Sequence, residues 1–136
     1  MNTLQLKTQA GQMTLSLIFL IIAALAACGQ ATSPVEISVP QAAQLRDEGA
    51  FVLDVREPLE WQEAHIPGAT LIPLGELEQR LNELPKDQQI VVYCRSGNRS
   101  RTGAEILRRN GINQASSMAG GINDWIARGF PTISGP

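Results

Sequence analysis

Hydrophobic and polar positions fall along this chain in runs of three kinds, and each kind implies a different element. Residues 50–55, AFVLDV, and 90–93, IVVY, are apolar almost without alternation, the pattern of strands buried on both faces of a parallel sheet. Short runs at 35–38, 70–72 and 115–118 read as further strands. Elsewhere the apolar residues recur at helical spacing. Leu74, Leu77, Leu81 and Leu84 line one side of a predicted helix, with Glu76, Glu78, Arg80 and Glu83 on the other, until Pro85 stops it. Helices are also predicted over 41–48, with Pro40 at the first position and Gly49 past the end, and over 58–64. Two more run over 99–110, closing at Gly111, and through Trp125 to residue 128, closing at Gly129. His65-Ile66-Pro67-Gly68-Ala69 reads as a turn.

Strand and helix in alternation imply an α/β fold with a mainly parallel sheet, helices on both faces and right-handed crossovers. Ligands of such sheets sit beyond the carboxyl ends of the strands. Cys94, Asp54 and the turn holding His65 all fall at or just after such ends.

The third kind of run is the apolar stretch 15–27, LSLIFLIIAALAA, which is short for a membrane span and ends in small residues. It is read as the core of an export signal over residues 1–27. Leu25-Ala26-Ala27-Cys28 resembles the lipobox of bacterial lipoproteins, in which cleavage before the cysteine leaves an N-terminal cysteine that carries lipid. On that reading Cys28 is the lipidation site, and acyl chains on it hold the protein to the cell envelope. Gly29 in place of Asp argues against inner-membrane retention in a double-membrane bacterium. The competing reading is ordinary cleavage after Ala24-Leu25-Ala26, leaving a soluble exported protein; a third keeps the segment as a short anchor. Residues 28–36, rich in Ala, Thr, Ser and Pro, form a tether, and residues 37–134 the folded domain.

Composition narrows the chemistry. A chain of 136 residues holds one such domain, and a net charge of -2 with no basic run points to no nucleic-acid partner. The two cysteines are Cys28 and Cys94, so no intrachain disulfide is expected. A free cysteine in an exported protein calls for a chemical reason. One histidine and one free cysteine cannot build a metal site, and no metal or organic cofactor is implied.

Cys94-Arg95-Ser96-Gly97-Asn98-Arg99-Ser100 follows the strand 90–93 and precedes a helix. A cysteine placed there receives the free N–H groups and partial positive charge of a helix N-terminus. Such a thiol ionises near neutral pH and becomes a nucleophile. Arg95, Arg99 and Arg101 add positive potential that favours both the thiolate and an anionic substrate. Gly97 is expected to supply a positive φ or a close backbone approach.

Three segments together resemble the rhodanese family of sulfurtransferases from about residue 37 to 131. They are Leu53-Asp54-Val55-Arg56-Glu57 with Glu60 and His65-Ile66-Pro67-Gly68-Ala69; the loop 94–100; and Gly120-Gly121-Ile122 with Trp125, Gly129 and Pro131. The resemblance implies a rhodanese-like five-stranded parallel sheet with helices on both faces, and a catalytic Cys94 that cycles between thiolate and persulfide. Arg95, Ser96, Gly97, Asn98 and Arg99 would then bind the substrate. Asp54 and Arg56 would tie loops together, and His65 would pack in its turn rather than act as a base. Trp61 and Trp125 read as packing residues, each with a partner for its indole N–H.

Loop length separates the chemistries in this family. Cysteine, four residues and a basic residue suit a sulfur atom, whereas related phosphatases have five residues before an arginine, and here that later position is Ser100. The implied reaction moves a sulfane sulfur from a small anionic donor such as thiosulfate to cyanide or a thiol. The alternatives are a non-catalytic sulfur-carrying or partner-binding module, against which the intact Cys94 counts, and an oxyanion enzyme such as a phosphatase or arsenate reductase, which the loop length opposes.

Overall fold

The computed structural model describes residues 35–136, so the export-signal reading, the lipobox and Cys28 lie outside the described residues. Strands β1 (Glu36–Ile37), β2 (Phe51–Asp54), β3 (Thr70–Leu71), β4 (Ile90–Tyr93) and β5 (Ala115–Met118) form one parallel sheet in the order β1-β5-β4-β2-β3. Helices α1 (Val39–Asp47), α2 (Pro58–Glu63), α3 (Asn98–Arg109) and α4 (Gly121–Ala127) connect or follow the strands. A 3-10 segment, Leu74–Glu83, leads from β3 towards β4.

β4 is central, and all four of its residues are buried. Its unbroken apolar run serves two faces, because successive side chains on a strand point in opposite directions. Ile90 and Val92 pack with Leu53, Leu77, Leu107 and Ala104 on one side. Val91 and Tyr93 pack with Val39, Ala42, Ile122 and Trp125 on the other. Each face therefore has its own helical layer, and burial of each large side chain stabilises the fold by about 1.5–3 kcal/mol.

Helix α1 starts at Val39, one residue before Pro40, the first position expected from the sequence. Ser38 and Gln41 form a reciprocal cap: Gln41 N–H donates to Ser38 Oγ at 3.5 Å and Ser38 N–H donates to Gln41 Oε1 at 2.9 Å. Ser38 thereby leaves the strand for the cap. Pro40 still occupies the first turn, where its missing N–H costs nothing.

The expected α-helix over 74–84 is instead a 3-10 segment with a kink at Arg80, whose φ is -117° and ψ 17°. The leucine spacing accounts for this. Leu74 with Leu77, and Leu81 with Leu84, are pairs three apart, which a three-residue turn stacks on one face. The extra residue between the pairs is absorbed at the kink. Arg80 braces it by donating to Glu76 at 2.9 Å and to Glu83 at 2.8 Å.

Candidate active site

Cys94 follows β4 directly, at the carboxyl edge of the central strand, and is only 1% exposed. Two glycine-dependent features shape the loop around it. Gly97, at φ 104°, turns the chain into α3, and a Cβ there would lie 3.3 Å from Gly120 N. Gly121, at φ 58°, allows α4 to approach so closely that a Cβ would lie 2.4 Å from Cys94 O. At that range Ile122 N–H donates to Cys94 O at 2.8 Å and Asn123 N–H to Arg95 O at 3.1 Å. In a trans peptide the C=O and the following N–H point in opposite directions. With the Arg95 carbonyl turned to α4, the N–H of Ser96 turns inward towards the sulfur.

Gly97 N–H donates to Cys94 Sγ at 3.1 Å, and Ser100 Oγ lies 3.6 Å from the same sulfur. Burial pushes the Cys94 thiol up. The N–H and hydroxyl of Ser100, with the N–H groups of Gly97 and Ser96, outweigh it and hold the thiol below its ordinary range.

A second buried hydroxyl supports this ring. Ser117 Oγ on β5 lies 2.8 Å from Ser100 Oγ, and neither serine has exposed surface. With Ser117 donating to Ser100, the single Ser100 proton is free to choose between Gly97 O, at 3.0 Å, and the sulfur. A thiolate would draw that proton towards itself. The sequence marks Ser100 as a loop position but does not reveal Ser117, since a hydroxyl on β5 meets α3 only through the fold.

Arg95 and Arg99 do not stand as two free cations. Glu60 on α2 accepts from Arg95 Nε at 3.0 Å and from Arg99 Nη1 and Nη2 at 2.7 and 2.8 Å. It also accepts from Glu57 N–H at 3.1 Å, so both of its oxygens are fully engaged. Arg99, ahead of the smaller opposing effect of burial and the help of the Glu57 N–H and Arg95, holds the Glu60 carboxyl down to about 2. The stabilisation it gives is complete above pH 4.5 and fades as the pH falls towards about 2. Arg101, read from the sequence as a third cation at the loop, pairs instead with Glu36 on β1 at 2.8 Å. Ser96 and Asn98 are exposed.

Asp54 and Arg56 form a buried ion pair, with Arg56 Nη2 2.7 Å from Asp54 Oδ2 and a second bond from Arg56 Nη2 to Ala64 O at 2.7 Å. The Arg56 guanidinium sits 5.5 Å from the centre of the Tyr93 ring, and the Tyr93 hydroxyl accepts from Ile66 N–H at 3.2 Å. The pair thus joins the end of β2, the end of α2 and the residue preceding Cys94. His65 is buried in its turn, stacked on Trp61 at 3.6 Å. Its Nδ1 lies 3.0 Å from Trp61 O, an acceptor, so Nδ1 carries the proton. Its backbone exchanges hydrogen bonds of 2.8 and 2.9 Å with Ile133. The Trp125 indole N–H donates to Pro131 O at 2.9 Å.

Beside the loop lies a pocket of about 120 Å³ whose lining includes Arg95 and Glu60, with Glu63 and the apolar Ile122 and Ile126. If the Ser100 hydroxyl carries the thiolate, Ser100→Ala should move the pH profile of Cys94 alkylation upward by about 1–2 units. Arg99→Ala should move it upward by less, because Arg99 acts on the sulfur only through space while its hydrogen bonds go to Glu60. Alkylation at Cys94 read by peptide mass spectrometry checks both, and a larger shift in the Arg99 variant would reverse the assignment.

Comparison with known proteins agrees with this geometry. The family model for the rhodanese-like domain matches residues 38–128. YrkF of Bacillus subtilis, whose name marks it as a candidate sulfur carrier, is 42% identical over 82 residues, 60% of this chain and 44% of YrkF. The chain thus spans less than half of that relative. The thiosulfate sulfurtransferase GlpE of Ectopseudomonas mendocina is 33% identical over 96 residues, 71% of this chain and 87% of GlpE. The crystal structure of a rhodanese-related protein from Thermoplasma volcanium superposes with a TM-score of 0.68 at 33% identity, covering 74% of this chain and 98% of that one. With its five-stranded parallel sheet, its helices on both faces and this match, the chain belongs to the rhodanese-like domain family and has sulfurtransferases among its relatives.

Proposed function

We propose that this protein is a sulfurtransferase that carries a sulfane sulfur as a Cys94 persulfide. The observation that carries the reading is the ring of N–H and hydroxyl donors around Cys94 Sγ in a loop with four residues between Cys94 and Arg99. A loop this short converges on a single sulfur atom. The Cys94 thiolate attacks the outer sulfur of a donor such as thiosulfate. A new S–S bond forms as the old one breaks, and sulfite leaves with the bonding electron pair. Cyanide or a thiolate then attacks the outer sulfur of the persulfide, and Cys94 departs as the thiolate. Electrons balance without an outside oxidant. Donors aimed at the developing anion in such a ring are worth about 3 kcal/mol each in other enzymes.

Similarity to YrkF supports a second reading, in which the same persulfide is held and handed on without rapid turnover. Mass spectrometry after exposure to thiosulfate should show one added sulfur on Cys94 that cyanide removes, and none in Cys94→Ser. Steady thiocyanate production points to the enzyme, and one equivalent without turnover points to the carrier. A wild-type protein that gains no sulfur contradicts both.

The proposal extends to location. Leu25-Ala26-Ala27-Cys28 supports an envelope protein anchored by lipid on Cys28. Labelling with an alkyne fatty acid should mark the wild type and not Cys28→Ala, and an unlabelled protein recovered wholly in the soluble exported fraction would favour ordinary cleavage.

A further inference from the structure

The side chains at the mouth of the Cys94 loop form a charge balance that a site built to capture small dianions would not need. Two cations, Arg95 and Arg99, converge there, and both are held by the single carboxylate of Glu60. Glu57 and Glu63 add carboxylates on the same side: Glu57 acts electrostatically on Arg99, and Glu63 lines the adjoining pocket. Arg56, which also lines that pocket, is already neutralised by Asp54. Arg101 is engaged by Glu36. The cations present are thus matched by carboxylates before any substrate arrives, and the thiolate itself adds one more negative charge. The pocket's remaining wall is Ala64, Asn123, Ile122 and Ile126, with Ile122 buried and Ile126 49% exposed.

From this juxtaposition we propose that Glu60 is a specificity-determining residue, one that cancels the attraction of Arg95 and Arg99 for inorganic dianions and so favours donors of low net charge, organic persulfides above all. The inference rests on the sulfur-transfer reading and narrows its donor. With an organic persulfide the Cys94 thiolate attacks the outer sulfur, the donor's S–S bond breaks, and the organic thiolate leaves with the electron pair and takes a proton from water. The organic group can lie against Ile122 and Ile126, where a sulfate-like group gains nothing. Glu60 is held low by its four donors, so it stays charged throughout the working pH range and the discrimination does not vary with pH.

The test reads the potential at Cys94 independently of sulfur transfer. The full chain is alkylated with iodoacetate, an anion, and with iodoacetamide, a neutral reagent of similar size, and the rates at Cys94 are followed by peptide mass spectrometry. Glu60→Gln keeps the shape and removes the charge; it should raise the iodoacetate-to-iodoacetamide rate ratio roughly three- to tenfold. The rise should shrink in about 0.5 M salt. Glu60→Asp keeps the charge and should leave the ratio within about twofold of wild type. An unchanged ratio in Glu60→Gln, or an equal rise in Glu60→Asp, would overturn the proposal. In the wild type alone the ratio should be nearly insensitive to salt, and a steep fall with salt would overturn it even if the variants did not fold. In the transfer assay, Glu60→Gln should raise the ratio of kcat/KM for thiosulfate to kcat/KM for an organic persulfide, and an unchanged or lower ratio would count against the proposal. If the wild type accepts sulfur from neither donor, the sulfur-transfer reading fails, and the alkylation ratio still decides whether Glu60 sets the charge.

Discussion

The N-terminal turn of α4 grips the carbonyl oxygens of Cys94 and Arg95, through Ile122 N–H at 2.8 Å and Asn123 N–H at 3.1 Å. That contact fixes which way the first two peptide groups of the loop face, and the N–H groups of Gly97 and Ser100 complete the ring around the sulfur. Were those carbonyls to point inward, the sulfur would meet partial negative charge, and its burial would make it a neutral thiol. Turned outward, they leave the following N–H groups facing inward, and the same burial strengthens each hydrogen bond to the sulfur. The grip is possible only where no Cβ intervenes, which is why Gly120-Gly121 stands where α4 begins.

The rest of the fold serves this contact. β4 and β5 are neighbours in the centre of the sheet, so the loop after β4 and the turn after β5 lie side by side. β5 also contributes Ser117, whose buried hydroxyl lies 2.8 Å from that of Ser100 and holds it beside the sulfur. On the other side of β4, the Asp54–Arg56 pair and the Tyr93 hydroxyl fasten β2, α2 and the His65 turn to the residue before Cys94. A buried ion pair of this kind is costly to break, because either partner alone would be an uncompensated charge in the interior. α2 in turn presents Glu60 to Arg95 and Arg99.

Much of this architecture was legible in the chain because it depends on local pattern. The unbroken runs around Val52 and Val91 mark strands covered on both faces, and Gly97 marks a turn or close backbone approach. Cys94 stood out because its neighbours are wrong for a core cysteine. Other features needed tertiary information. The Ser38–Gln41 cap competes with strand pairing, and either outcome fits the residues. The leucines from Leu74 to Leu84 satisfy a 3.6-residue period on average, but pair at three, and the kink at Arg80 appears only once they must meet the sheet. Glu60 lies 35 residues from Arg95 and 39 from Arg99, so their bridge could not be read from spacing, and the loop looked more cationic than it is. The meeting of Ser100 with Ser117 was hidden for the same reason.

The central claim is that the orientation of the loop's N–H groups outweighs burial and makes Cys94 a thiolate. Its most direct measurement is the ultraviolet absorbance of the thiolate as a function of pH in a Cys28→Ser protein, where Cys94 is the remaining thiol. The account predicts a midpoint clearly below the ordinary cysteine value of about 8.5. A midpoint at or above that value would show that burial dominates and that the loop does not hold the charge.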